Sequence, residues 1–231
     1  MPIADFPLRR LIGLACSLVI LAATAACAQS GDSAAPSVKA DPGKTLSTDA
    51  TDTAVAIFAG GCFWCMEPPF DQTPGVVATT SGYIGGNVDH PSYAQVSAGG
   101  TGHAEAVRIE YNPSQVTYAR LLEVFWHNVD PVALDRQFCD RGSQYRSAIF
   151  VSSAEQRTLA EESKRKLEAS GRFDQPIATQ IVNATTFWPA EDYHQDYYEK
   201  NPLRYKYYRY NCGRDQRLDQ LWGADRKYSG H

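Results

Sequence analysis

No basic surplus marks this chain. Its 231 residues carry 22 Lys and Arg against 26 Asp and Glu, a formal charge of −4. Proteins that grip nucleic-acid phosphates carry the opposite balance, so that class is set aside. Cysteine is sparse: six residues are too few to staple a chain of this length into a disulfide scaffold. Gly and Pro, at 17 and 13, show ordinary usage, which excludes a fibrous or low-complexity chain. No internal repeat is visible. The apolar run at residues 11–26 is shorter than the roughly 20 residues a spanning helix needs, and it ends in small residues rather than a basic stop. A zinc site lacks its second ligand pair, because Cys139 and Cys212 stand alone. Met66 stands where covalent haem attachment needs a histidine. No metal or prosthetic group is expected.

What is present suits one folded domain. Hydrophobic residues make up 43% and aromatics 11%, with 13 Tyr, enough for one sizeable core and against disorder. Residues 1–28 read as a signal peptide: Arg9 and Arg10 precede the apolar run, and Ala26-Cys27-Ala28 fits a cleavage site. The alternative is a lipoprotein with Cys27 lipidated, although Thr24 stands where such a signal usually holds Leu. Either way the mature protein is expected to be exported, periplasmic or secreted, with membrane attachment only if Cys27 is lipidated. Residues 29–52, rich in Ser, Ala, Asp, Thr and Pro, read as a disordered linker, and residues 53–231 as the folded domain.

Within that domain, residues 54–59 read as a buried strand stopped by Gly60-Gly61. Cys62 opens a helix that Pro68-Pro69 limit or kink. Residues 76–83 form a second strand. Residues 104–111 form a third, with Glu105, Val107, Ile109 and Tyr111 on one face and Arg108 and Glu110 on the other. Ser114 is expected to cap a helix running to about Asn128. Residues 145–151 are a strand, and Ser153 with Gln156 makes a capping box for a helix ending at Ser170-Gly171. Residues 178–182 are a further strand, and residues 191–200 an aromatic-rich helix stopped by Pro202. Strands and helices mix without strict alternation, which points to an α+β or mixed α/β sandwich.

The segment from Gly60 to Glu67, GGCFWCME, is the strongest local feature. Cys62 falls at a helix mouth, where backbone N–H groups and the helix dipole favour the nucleophilic thiolate. Cys65 is spaced to return beside it on the same helical face. The bland alternative is two small buried hydrophobes. The rival catalytic reading is a thioredoxin-like pair, Cys62 and Cys65, although Phe63-Trp64 is bulky for docking on protein disulfides. Glu105 points to the apolar face of its strand, where desolvation raises a carboxyl pKa. A neutral Glu beside a nucleophile can serve as general acid; pairing with a nearby Arg or His is the equal alternative. His103, one residue out of phase, reads as structural. The glycines at 99–102 lack the Lys-Ser/Thr ending of a phosphate loop and lead into a strand. Tyr83 at a strand end, and Asp140 and Tyr145 in a loop entering a strand, can reach a ligand, although packing is the commoner fate of tyrosine.

Together these stretches resemble the A-type peptide methionine sulfoxide reductases. The matching blocks are GCFWCME at 61–67, SGYIGG at 81–86, TGHAE at 101–105, GSQYRS at 142–147 and AEDYHQDYY at 190–198, in the family's order. The resemblance implies an α/β sandwich with a ferredoxin-like core. It implies reduction of methionine S-sulfoxide in proteins, peptides and free methionine, repairing oxidative damage. It makes Cys62 the nucleophile that ends as a sulfenic acid, Glu105 the proton donor, and Tyr83 and Tyr145 donors to the sulfoxide oxygen. Phe63 and Trp64 form the pocket for the substrate methyl, and Asp140 helps fix the site. A second thiol then condenses with the sulfenic acid to an intramolecular disulfide. An external, thioredoxin-like dithiol reduces that disulfide, with no cofactor. For the second thiol, Cys212 in a tail of the kind the family often keeps mobile is placed slightly ahead of Cys65, with Cys139 third. The chain lacks the Gly-rich pair of tail cysteines some members carry, which speaks against a two-step relay through the tail. A cytosolic thioredoxin cannot reach an exported protein, so an exported donor is expected. The non-enzymatic rival is a module that binds exposed Met through Phe63 and Trp64.

Overall fold

The structure, a computed structural model, describes residues 53–226. The signal peptide, the linker and Cys27 lie outside the described residues. In chain order, β1 (Ala54–Gly60) is followed by α1 (Phe63–Asp71), β2 (Val76–Ile84), the short α2 (Tyr93–Ser97), β3 (Ala104–Tyr111) and α3 (Tyr118–Trp126). A small hairpin of β4 (Arg136–Gln137) and β5 (Asp140–Arg141) precedes β6 (Ser147–Val151) and α4 (Ala154–Ala169). Then come β7 (Gln180–Asn183), β8 (Trp188–Pro189), α5 (Tyr197–Lys200), α6 (Pro202–Asn211) and α7 (Arg214–Trp222).

The main sheet runs β7-β6-β1-β3-β2-β8. All its pairs are antiparallel except β6 with β7. The units β1-α1-β2 and β3-α3-β6 interleave their strands as β6-β1-β3-β2, the split βαβ pattern of a ferredoxin-like core. Strand alternation decides the layers. Ala56 and Phe58 of β1 and Val107, Ile109 and Tyr111 of β3 meet the helices. Ile57, Ala59, Ala104 and Ala106 face the other way, where small side chains let Phe187 and Ala184 lie against the sheet. Phe58 joins the layers: its ring stacks on Phe70 of α1 at 5.5 Å and Phe125 of α3 at 5.1 Å. Burying a ring of that size contributes about 2 kcal/mol.

Several local expectations shift. Pro68 and Pro69 lie inside α1 rather than ending it. Burial of Phe63, Cys65, Met66 and Phe70 holds the helix although both prolines lack the donor an interior turn uses. The cap of α3 is Thr117, not Ser114, whose N–H and hydroxyl both donate to Asn112 Oδ1 in the preceding turn. Ser153 caps α4 as expected, but Gln156 Oε1 accepts from the Ser152 N–H rather than from that of Ser153, so the box is not reciprocal. Tyr145 sits on a 3₁₀ turn just before β6. Pro202 starts a helix instead of stopping one: it occupies the first turn of α6, where a missing N–H costs nothing. The sequence reading missed α2, α6 and α7.

Candidate active site

Gly60, the last residue of β1, and Gly61 after it build the site's floor. A Cβ on Gly60 would lie 2.6 Å from Met66 Sδ, and one on Gly61, at φ +84°, only 2.5 Å from Gln137 Cβ. The turn this permits sets Cys62 as the N-cap of α1. Cys62 and Cys65 are both free and both buried, and the Cys65 N–H donates to the Cys62 carbonyl at 3.0 Å. Their thiols share a hydrogen bond. That bond, with Arg214 and Arg209 nearby, lowers the Cys65 pKa to about 7 against the opposing effect of burial. Burial raises Cys62 instead, reinforced by Cys65 and by the charges of Glu105 and Asp140.

Glu105 arrives from β3. It faces the helices, is 1% exposed, and accepts a hydrogen bond from the Phe63 N–H at 3.2 Å. Burial outweighs that bond and pushes its pKa up to about 8, so the carboxyl is mostly neutral at pH 7. The expectation of an inward, raised carboxyl therefore holds. Among the described residues no Arg or His pairs with it; its hydrogen bond comes from the amide beside the nucleophile candidate. His103 is structural, accepting from Gly86 N–H and bonding the Val88 carbonyl.

The tyrosines divide differently from the sequence reading. Tyr83 pairs with Glu105 in the β2–β3 register, yet it is fully buried and its hydroxyl donates to Glu191 Oε2 at 2.8 Å. The other oxygen of Glu191 accepts the Tyr93 N–H, also at 2.8 Å, and so anchors the start of α2. Tyr93 is a residue the sequence reading passed over. Its pKa is pushed up to about 12 by burial, then by the charges of Glu105, Cys62 and Asp140. Tyr145 is raised by burial and by Glu105, Tyr93, Asp140 and Cys62. Both half-buried phenols thus feel the charge of the same carboxyl and the same thiol. Asp140 on β5 accepts from the Tyr208 hydroxyl of α6. Burial raises its pKa while Tyr208 and Arg214 oppose the rise.

An aromatic wall closes one side. Trp64 stacks on Tyr197 with ring centroids 3.8 Å apart, and its indole N–H donates to His194 Nδ1 at 3.0 Å. Phe63 lies 5.0 Å from the His194 ring, and Tyr93 4.3 Å from it. Glu191, His194 and Tyr197 come from the AEDYHQDYY block, whose roles spacing alone did not reveal. The signal for Tyr93 was present in Ser92 and Gln95, which form a full capping box.

A profile for the family described as "Peptide methionine sulfoxide reductase" matches residues 54–226. The chain belongs to this family. Its relatives include the Bacillus licheniformis peptide methionine sulfoxide reductase MsrA, 52% identical over 169 residues, covering 73% of this chain and 93% of that protein. The Bacillus subtilis MsrA is 49% identical over 170 residues, covering 74% and 96%. Against the Vibrio cholerae MsrA/MsrB protein the identity is 48% over 182 residues, but this chain spans only about half the length of that relative (48%). Among solved structures, reduced Mxr1 from Saccharomyces cerevisiae superposes with a TM-score of 0.61 at 32% identity, over 67% of this chain and 89% of that one. Methionine sulfoxide reductase A of Corynebacterium diphtheriae gives 0.58 at 37%, over 65% and 76%.

In this member of the family, Cys139 and Cys212 are bonded to each other across 73 residues. Cys212 was placed first as partner for Cys62; here its sulfur is held by Cys139, at the junction of α6 and α7 rather than in a loose tail. Cys139, Asp140 and Cys212 bring ligand atoms within 4.8 Å of one another, but a disulfide has no thiolate to give a metal.

Proposed function

We propose that reduction of methionine S-sulfoxide, the activity of this family, is carried out here by Cys62, Glu105, Tyr93, Tyr145 and Cys65. The observation that carries this reading is the buried pair of Cys62 with a neutral Glu105, joined through the Phe63 amide. Cys62 attacks the electrophilic sulfur as thiolate. Glu105 gives its proton to the sulfoxide oxygen as the S–O bond weakens, and the proton leaving Cys62 restores it. Tyr93 and Tyr145 donate to the polarised oxygen, as oxyanion donors do. Tyr83 supports them by fixing Glu191, which holds the start of α2. Phe63 and Trp64 receive the substrate methyl, with Trp64 oriented by His194 and Tyr197.

Methionine leaves and the oxygen stays on Cys62 as a sulfenic acid. Cys65 is the resolving thiol: it already touches Cys62, and its lowered pKa supplies thiolate near neutral pH. Its attack forms the Cys62–Cys65 disulfide and releases water. A thioredoxin-like dithiol protein returns the enzyme to its thiol form by exchange. Thiol–disulfide exchange on other proteins is the weaker reading, because both thiols are buried and a general acid stands beside them. Export of the mature protein rests on residues 1–28 alone; N-terminal sequencing from fractionated cells tests it, and an intact Met1 in cytoplasm sinks it. The catalytic reading is tested by incubating the protein with a methionine S-sulfoxide peptide and dithiothreitol. Methionine formation is expected from the wild type, and none above background from Cys62→Ser.

A further inference from the structure

We propose that the outer face of α6 is a docking surface for the substrate polypeptide, and that it favours acidic residues flanking the oxidised methionine. The proposal rests on the catalytic reading above and adds which substrates that site takes best.

Exposed apolar surface is concentrated in one stretch. Among the described residues, Val77, Leu134, Tyr193, Leu203, Tyr207 and Tyr210 are the large hydrophobic side chains left in solvent. Four of these six fall between Tyr193 and Tyr210, the stretch that also supplies His194, Tyr197 and Tyr208 to the surroundings of Trp64. On α6, Leu203, Tyr207 and Tyr210 are 82, 74 and 71% exposed at positions i, i+4 and i+7, so they form one stripe. The inner face is the opposite one, where Tyr205 and Arg209 are buried. A helix that presents rings on both sides carries more apolar surface than its own fold buries. Tyrosines held out in water suit a partner, since each offers a large amphipathic surface with few rotors to freeze.

Charge selects the partner. The chain as a whole is acidic, at −4, yet residues 200–211 hold Lys200, Arg204, Lys206 and Arg209 and no Asp or Glu. Arg209 turns inward to Asp215, and Lys200 pairs with Asp196. Arg204 and Lys206 are exposed, and neither makes an ion pair among the described residues. With about 100° of rotation per residue, they stand on either side of the stripe. A polypeptide carrying Asp or Glu beside an apolar or aromatic residue is the complement of such a face.

The distance fits a peptide. Tyr208, the neighbour of Tyr207, stands edge-on to Trp64 with ring centroids 5.7 Å apart. One residue of helix turns about 100°, which at an outer radius of about 5 Å is an arc of about 9 Å. Arg204 lies within that arc, between Tyr208 and Tyr207. An extended chain covers it in about three residues at about 3.3 Å each. A methionine sulfoxide side chain seated against Trp64 thus brings the third or fourth residue along its chain over Arg204 and Tyr207. Free methionine sulfoxide ends before the stripe begins.

The test compares three substrates, with dithiothreitol as reductant so that no protein reductant competes for the surface. They are N-acetyl-methionine S-sulfoxide and two peptides centred on methionine S-sulfoxide, one with Glu at the third and fourth positions on each side, the other with Lys there. For the wild type, kcat/KM is expected to be about fivefold higher for the Glu peptide than for the Lys peptide, with the gap narrowing in about 0.5 M salt. In Arg204→Glu/Lys206→Glu the order of the two peptides is expected to reverse. In Tyr207→Ser/Tyr210→Ser, KM for both peptides is expected to rise about tenfold with kcat unchanged. Both variants are expected to reduce N-acetyl-methionine S-sulfoxide as the wild type does. Peptide kinetics unchanged in both variants overturn the proposal. So does a loss that N-acetyl-methionine S-sulfoxide shares, which marks a structural role. A loss seen only when a thioredoxin-type protein replaces dithiothreitol also overturns it, and assigns the face to the reductant. No methionine from any of the three substrates with the wild type overturns the catalytic reading, and the docking surface with it.

Discussion

The amide of Phe63 points its hydrogen at the carboxyl of Glu105, 3.2 Å away and 42 residues distant in the chain. One bond thereby fixes a carboxyl beside the residue that follows Cys62. It occupies one oxygen as acceptor and leaves the other for a proton, and burial keeps that proton on to about pH 8. The acid is presented by a strand and the sulfur by a helix mouth, so neither element alone makes the site.

Replacing Glu105 with Gln removes the acid while keeping its shape. We expect kcat/KM for a methionine S-sulfoxide peptide to fall by roughly 10²–10⁴-fold, the range for a lost general acid, with the backbone fold unchanged by circular dichroism. In the wild type, the sulfoxide-reduction step measured by single turnover should decline as pH rises through about 8, the pKa of Glu105. A rate that keeps climbing past pH 9 contradicts the role.

The same carboxyl has a stability signature. Its folded pKa is raised above the unfolded value, so the folded chain holds the proton more tightly. The stability this contributes is fully present below the unfolded pKa near 4.5 and is lost as pH rises through about 8. Glu67, fully buried, is raised to about 8 by the same desolvation, which outweighs the opposing interactions with Ser81 and the Asp196 backbone, and it adds to the slope. Urea unfolding at pH 5 and pH 9 should show Glu105→Gln and Glu67→Gln each gaining stability over the wild type at the higher pH. Equal gains at both pH values would refute the argument.

The phenols should separate by what their hydroxyls touch. Tyr93→Phe and Tyr145→Phe are expected to lower kcat/KM by about ten- to a hundredfold each, as lost transition-state hydrogen bonds do. Tyr83→Phe breaks its bond to Glu191 and should act mainly through stability, costing about 1 kcal/mol or more because the Glu191 oxygen loses a partner. Thermal melts alongside kinetics decide it. A Tyr83→Phe that melts like the wild type but loses activity as Tyr93→Phe does would return Tyr83 to the oxygen-binding role.

With Cys65 replaced by Ser, the first methionine still forms but the Cys62 sulfenic acid has lost its neighbouring thiol. Dimedone labelling of Cys62 after one turnover should rise well above that of the wild type. Rapid, complete capture of Cys62 by Cys212 in that variant would make Cys212 the resolving thiol instead.

Gly61 tests the floor of the site. An alanine there must adopt φ +84° and place its Cβ 2.5 Å from that of Gln137, a residue fixed by two hydrogen bonds to the Asp130 backbone. Gly61→Ala should destabilise the protein by about 2–4 kcal/mol from strain and overpacking together, and denaturant unfolding measures it.

Much of this was legible in one dimension. Alternation along residues 104–111 placed Glu105 inward because neighbouring strand side chains point to opposite faces. The spacing of Cys62 and Cys65 put them on one helical turn, and the double glycine announced a turn whose tightness the structure explains. Prolines misled twice. Pro68 and Pro69 read as breakers but are held inside α1 by buried neighbours, and Pro202 read as a stop yet begins α6. Propensity is a local vote that packing overrides.

Sequence alone determined which residue types were available and which face each took: a thiol at a helix mouth, a carboxyl turned to the core, an ordered set of motifs that belongs to one family. Partnership was decided only in three dimensions. Tyr83 finds Glu191 across 108 residues and Cys139 finds Cys212 across 73. Periodicity fixes a direction relative to the local backbone, whereas a hydroxyl or a sulfur meets its partner only when distant elements pack. That is why local pattern could set a thiol at a helix mouth, and why the division of the described cysteines into an inner and an outer pair needed the fold.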